Sequence, residues 1–274
     1  MQYKQFPFWL RNLAPALVLC WALSCTCRAE KSDLPQDGYS CVLMGHSFFI
    51  PMARQLEDHA KRSGFSGHKQ IVAKAGGAKG SPGALWKALP EDAPSREAIR
   101  SGSVDLVGLT AANSGSTVTD YKAWVDFALK HNPRTSFFIM APSPVYGNKT
   151  FAEFEKGWEK NHKDIHALID LLRTAYPGTT FFCIPQGQVL VDLWSMSNKG
   201  QLPEVTRLKG AKESSIFLDD TGHGGEVVVN TGSLLWLATI YGVDLAEYKW
   251  DPKTKTDLKA LARKITRDDP YCKH

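Results

Sequence analysis

The chain has 274 residues, 43% of them hydrophobic and 22% charged, without a low-complexity tract, a block of like charges or a fixed-period repeat. That composition belongs to a globular protein with a core of ordinary size and excludes disorder over most of the length. The formal charge of +5 is partly local: a cut after Ala29 removes Lys4, Arg11 and Arg28 and no acid, leaving +2, which gives no electrostatic footprint for nucleic acid or a membrane surface.

Residues 1–29 read as a targeting segment. Lys4 and Arg11 precede "LAPALVLCWALSC" (13–25), an apolar stretch shorter than the roughly 20 residues that span a bilayer. Cys27 and Ala29 supply small residues at the −3 and −1 positions of a signal-peptidase site. A cleaved signal is predicted, with the mature protein secreted or periplasmic and not stably inserted in the membrane. The rivals are a retained anchor and a lipid anchor at Cys25 or Cys27, although neither cysteine follows a convincing Leu-small-small triplet. Three of the six cysteines leave with this segment. Cys41, Cys183 and Cys272 remain, far apart and without a CxxC pair, which argues against a zinc site and permits at most one internal disulfide.

From residue 39, apolar runs alternate with stretches of helical spacing. Strands are predicted at "SCVLMG" (40–45), "KQIVAKA" (69–75), "VDLVGLTA" (104–111), "SFFIMAPSP" (136–144) and "TTFFCIPQG" (179–187), and helices around 49–63, 84–89, 119–131 and 151–175. A final helix is predicted at 226–242, and 251–274 reads as a tail of one charged helix with a frayed end that leaves Cys272 mobile. Strands apolar throughout and separated by helices argue for a single α/β domain with a parallel sheet covered on both faces. In such sheets reactive groups collect beyond the carboxyl ends of the strands.

The first of those ends is Gly45-His46-Ser47. Ser47 fits two roles, a cap for the following helix or a nucleophile, and the second requires a base and a carboxylate that orients it. "FLDDTGHGG" (217–225) offers Asp220 and His223 three residues apart, with Asp219 as a spare carboxylate at a spacing of four; alone, it is equally a polar surface loop. Oxyanion donors are available in "AGGAKGSPG" (75–83) and, through Asn113, in "TAANSGS" (110–116). Ordinary turn roles suit the same residues.

The order Ser47, a glycine loop, Asn113 and Asp220-x-x-His223 resembles the SGNH hydrolases, the GDSL esterase/lipase family, over residues 40–242, and places an SGNH-like domain at 30–250. That resemblance implies a flavodoxin-like three-layer α/β/α sandwich with a five-stranded parallel sheet in order 2-1-3-4-5. It implies Ser47 as nucleophile, His223 as base and Asp220 as its orienting acid. The oxyanion hole would combine the Ser47 N–H, the N–H of Gly77 or Gly80, and the Asn113 amide, with no metal or organic cofactor. Two blocks depart from the family pattern: His46 stands where aspartate is usual, and Ala111-Ala112-Asn113-Ser114 where Gly-x-Asn-Asp is usual. Strands one and five would lie too far apart for Cys41 and Cys183 to join.

Three weaker features complete the reading. "HKDIH" puts His162 and His166 one helical turn apart, which suits a metal only if a third ligand converges there; the glutamate of HExxH is absent and a solvated helix face is expected. Trp86 and Trp194 are candidates for the rim of a sugar-binding mouth, and "NKT" (148–150) is a glycosylation sequon. The function expected is an exported serine esterase, with O-acetyl groups on carbohydrate favoured as substrate. Alternatives are an acyltransferase or a non-catalytic module holding glycan or a partner.

Overall fold

Five apolar runs become five parallel strands. The computed structural model describes residues 36–111 and 116–272. Its main sheet contains β1 (Ser40–Gly45), β2 (Lys69–Lys74), β3 (Leu106–Thr110), β4 (Ser136–Met140) and β5 (Phe181–Ile184) in the order β2-β1-β3-β4-β5, every pair parallel. β1, β3, β4 and β5 are buried almost throughout, whereas edge strand β2 is only partly covered. That is the pattern of a parallel sheet whose interior strands are enclosed on both faces. Flanking helices complete a three-layer α/β/α sandwich, and the described residues fall in one compact unit.

Eight helices are described: α1 (Ile50–Arg62), α2 (Pro82–Ala88), α3 (Pro94–Arg100), α4 (Val118–His131), α5 (Phe151–Ala175), α6 (Gln186–Asn198), α7 (Glu226–Tyr241) and α8 (Leu258–Asp268). α5 starts at a capping box in which the Thr150 hydroxyl accepts from Glu153 N–H and the Glu153 carboxylate accepts from Thr150 N–H. α7 is buried on nearly every side, as its largely apolar composition requires. It packs between α1 and α8 and ends on Gly242 in the left-handed conformation (φ 62°).

Two expectations need correction, and one strand pair is additional to them. The fifth strand stops at Ile184; Pro185 turns the chain into α6, whose apolar sequence resembles strand. A short parallel pair, β6 (Arg207–Lys209) and β7 (Ser215–Phe217), had too few residues to show a period. The tail is not frayed: Leu258, Leu261, Ala262 and Ile265 bury one face of α8 on α7, and the 3-10 turn Pro270–Cys272 packs on β5, burying Cys272. Cys41 and Cys183 lie on β1 and β5 with β3 and β4 between them, and all three described cysteines are free thiols. The predicted signal segment lies outside the described residues. Among those described, no helix is long and apolar enough to cross a membrane.

Candidate active site

The carboxyl end of β1 is shaped by Gly45, where an added Cβ would stand 2.5 Å from the Phe49 ring. The turn that follows presents Ser47 ahead of α1. Ser47 does not cap that helix; no side chain accepts at its formal cap. His46 serves instead, its carbonyl accepting from Phe49 N–H at 2.9 Å and Ile50 N–H at 3.2 Å, and its Nδ1 accepting from Phe48 N–H at 3.2 Å. With Nδ1 as acceptor, Nε2 carries the proton and faces Thr110 Oγ1 at 3.2 Å and the Ala111 carbonyl at 3.4 Å. Burial holds the His46 pKa below the ordinary histidine value, opposed by the bond to Ala111 and reinforced by the nearby charge of His223. His46 is therefore a buried neutral imidazole that ties the serine turn to the end of β3.

Ser47 Oγ lies 2.7 Å from His223 Nε2, across 176 residues of sequence. The other ring nitrogen, Nδ1, lies 2.7 Å from Asp219 Oδ2. Asp219, not Asp220, is thus the carboxylate against His223. The reason is the backbone of the glycine loop. Gly222 adopts φ 101°, and its N–H donates to both the carbonyl and Oδ1 of Asp219, so the chain curls until residues 219 and 223 share a side. Asp220 faces the other way and pairs with Lys209 Nζ. Burial raises the Asp219 pKa, but hydrogen bonds from the His223 ring, His223 N–H and Gly222 N–H outweigh it and the net shift is downward.

The loop after β4 braces this turn: Tyr146 N–H donates to the Thr221 carbonyl and Gly147 N–H to the Asp220 carbonyl. Phe48 stands edge-on to the His223 ring at 5.2 Å and to His46 at 5.5 Å. Beside Ser47 and His223 opens a cleft of about 180 Å³ whose walls include Phe48, Met52, Leu190, Leu218 and Val228. Among the described residues, no group accepts from Ser47 N–H, which points from the turn ahead of α1.

The two candidate glycines do different work. Gly80 is buried where an added Cβ would lie 2.6–2.8 Å from the Ala75 carbonyl, His46 Cβ and the Gly45 carbonyl; it lets the second loop close on the serine turn. Gly77, at φ 52°, faces open space. Asn113 lies outside the described residues. Trp194 is overturned as a rim residue: it is 4% exposed among Tyr146, Phe151, Phe154 and Phe217, whereas Trp86 is half-buried. Trp86 lies edge-on to Trp124 with the Arg96 guanidinium over its ring at 4.4 Å.

Gln186, at the start of α6 where the apolar run of β5 predicts strand, lines the cleft fully buried, and neither end of its amide has a hydrogen-bond partner. Its only sequence signal is a polar residue just past an apolar run. Among the described residues, three or more metal-ligating side chains do not gather around Ser47; such a group forms instead against α5 and β5.

No protein-family model and no curated protein sequence matches the chain. Among solved structures, it is similar to a DUF4886 family protein from Bacteroides uniformis, with a TM-score of 0.55 and 14% identity over 85% of this chain and 96% of that one. It is also similar to the periplasmic domain of the lipopolysaccharide acetyltransferase of Salmonella ser. Paratyphi A, with a TM-score of 0.39 and 10% identity over 76% of this chain and 84% of that one. The first of these is a likeness of fold.

Proposed function

We propose that the chain is an exported serine esterase of the SGNH type, cleaving an ester through an acyl-enzyme on Ser47. The observation that carries this reading is the unbroken line from Ser47 Oγ through His223 to Asp219, with both contacts at 2.7 Å. Nδ1–H donates to Asp219, so Nε2 is the free acceptor that takes the serine proton as Oγ attacks the acyl carbon. Asp219, kept ionised by its backbone donors, stabilises the imidazolium. The oxyanion receives Ser47 N–H, with Asn113 the proposed side-chain donor and the loop containing Gly77 and Gly80 the proposed second backbone source. His223 then returns the proton to the leaving alcohol, and water discharges the acyl group by the same base. A decayed site would have no reason to keep this geometry, which weighs against a purely binding module.

The acyl group would enter the apolar cleft. The alcohol side is open, since the His223 and Asp219 side chains are 32% and 48% exposed, so a large alcohol is accommodated without a formed pocket. A short acyl group on a bulky alcohol is the substrate class this supports, and O-acetylated carbohydrate fits it; neither Trp86 nor Trp194 lines the cleft. Hydrolysis of p-nitrophenyl acetate by the full chain, compared with Ser47→Ala, tests the reading. A loss of roughly 10³-fold or more in kcat/KM is expected, and full activity in the variant would remove the proposal.

A further inference from the structure

We propose that His162, His166, Cys183 and Asp269 form a closed site for one zinc ion that fastens the C-terminal segment to the sheet. His162 and His166 lie one turn apart on α5, Cys183 on β5, and Asp269 just after α8, so the third ligand that the histidine spacing demanded arrives from 103 residues further along. One donor atom from each of the four lies within 4.8 Å of every other. His162 Nε2 is 2.7 Å from Asp269 Oδ2, and His166 Nε2 is 3.3 Å from Asp269 Oδ1. The latter nitrogen is buried and its contact does not meet hydrogen-bond geometry.

Zinc bonds of about 2.0–2.3 Å in a tetrahedron put donors about 3.3–3.7 Å apart, so each of these atoms reaches its place by moving on the order of 1 Å. The ring planes are already held: Trp158 stacks on His162 with centroids 4.6 Å apart, and Tyr271 on His166 at 3.8 Å. Two imidazoles and a thiol select zinc over magnesium or calcium, which take oxygen ligands. One carboxylate and one thiolate balance the charge of the ion, and the thiol proton leaves to solvent as the metal binds. Four protein ligands leave no open position, which marks a structural site and not a catalytic one. A cleft of about 250 Å³ lined by His162, Gln188, Asp268 and Asp269 provides the way in. The absence of a CxxC pair does not count against this set, because its single sulfur is supplemented by histidines brought in by the fold.

The test uses the purified full chain, stripped with chelator and titrated with Zn²⁺ and separately with Co²⁺, reading bound metal, melting temperature and the cobalt spectrum. The expected result is one zinc per chain, a melting temperature raised by several degrees, and a thiolate-to-cobalt absorption band that disappears in Cys183→Ser and survives in Cys272→Ser. His162→Ala should weaken zinc on the order of 100-fold or more, with a far-ultraviolet spectrum and cooperative melt showing that the variant folds. Absence of bound zinc and of a melting shift in the wild type would overturn the proposal and leave a His–Asp–His latch. Zinc held equally well by His162→Ala, or a thiolate band lost in Cys272→Ser and kept in Cys183→Ser, would overturn the ligand assignment.

Discussion

Among the described residues, histidine meets a carboxylate at 2.7 Å in two places, and almost everything around the two contacts differs. At His223–Asp219 both side chains are substantially exposed, a serine hydroxyl stands on the far ring nitrogen, and an apolar cleft opens beside it. At His162–Asp269 the carboxylate is 5% exposed, and a second imidazole and a thiol close the group. A bonded His–Asp pair is therefore no catalytic sign in itself. What distinguishes the first is a serine hydroxyl at the end of a strand, where a reactant can reach it.

The comparison breaks most visibly at the carboxylates. Asp219→Asn should lower kcat on a short acyl ester on the order of 10²–10⁴-fold, because the imidazole loses the acceptor that sets its tautomer. Asp220→Asn, which removes only an exposed partner of Lys209, should stay within about twofold. Equal losses in the two variants, or the reverse order, would mean that the family spacing of three rules in solution.

The glycine loop gives a smaller contrast. Gly80→Ala forces a methyl against two backbone carbonyls and should cost roughly 1–3 kcal/mol together with activity, since the displaced group is the His46–Ser47 turn. Gly77→Ala, strained only by its positive φ, should cost about 1 kcal/mol and leave kcat within about twofold. Denaturant midpoints and steady-state rates of the two variants read both effects, and a Gly77 variant the more damaged would reverse the assignment of close packing to Gly80.

A third kind of histidine sharpens the contrast further. His59 is buried with its Nδ1 2.8 Å from the Tyr248 hydroxyl, and burial lowers its pKa to about 4. Its folded pKa lies below the unfolded value of about 6.5, so the stability it contributes is complete above pH 6.5 and is lost as pH falls toward 4. The unfolded chain takes up a proton there that the folded chain refuses, giving at most about 1.4 kcal/mol per pH unit. His59→Gln should flatten the stability profile between pH 6.5 and 4; an unchanged slope would show that other groups set it.

Much of the fold was legible because its interior strands are apolar almost throughout and α5 is amphipathic along its length. α5 falls where its amphipathic period puts it, α7 falls on an apolar run too long for a strand, and the sheet order follows the family resemblance. α6 was not legible, because its first residues follow directly on the apolar run of β5 and only Pro185 marks the change, while the helix itself is buried against α5 and α7. Ser47 and His223 were readable as residue types at strand and helix ends. Asp219 was not, since the choice between neighbouring carboxylates depends on the φ of Gly222. His46 and Asp269 were out of reach for a related reason: their partners, at Thr110–Ala111 and at His162–His166, are distant in sequence and meet them only through packing.

The central claim is that Ser47 is a nucleophile activated by His223. Incubating the full chain with a fluorophosphonate and following intact mass, with the modified peptide mapped, measures that directly. The account predicts a single adduct on Ser47, absent in Ser47→Ala and formed far more slowly in His223→Ala; no adduct, or one formed at another serine, would contradict it.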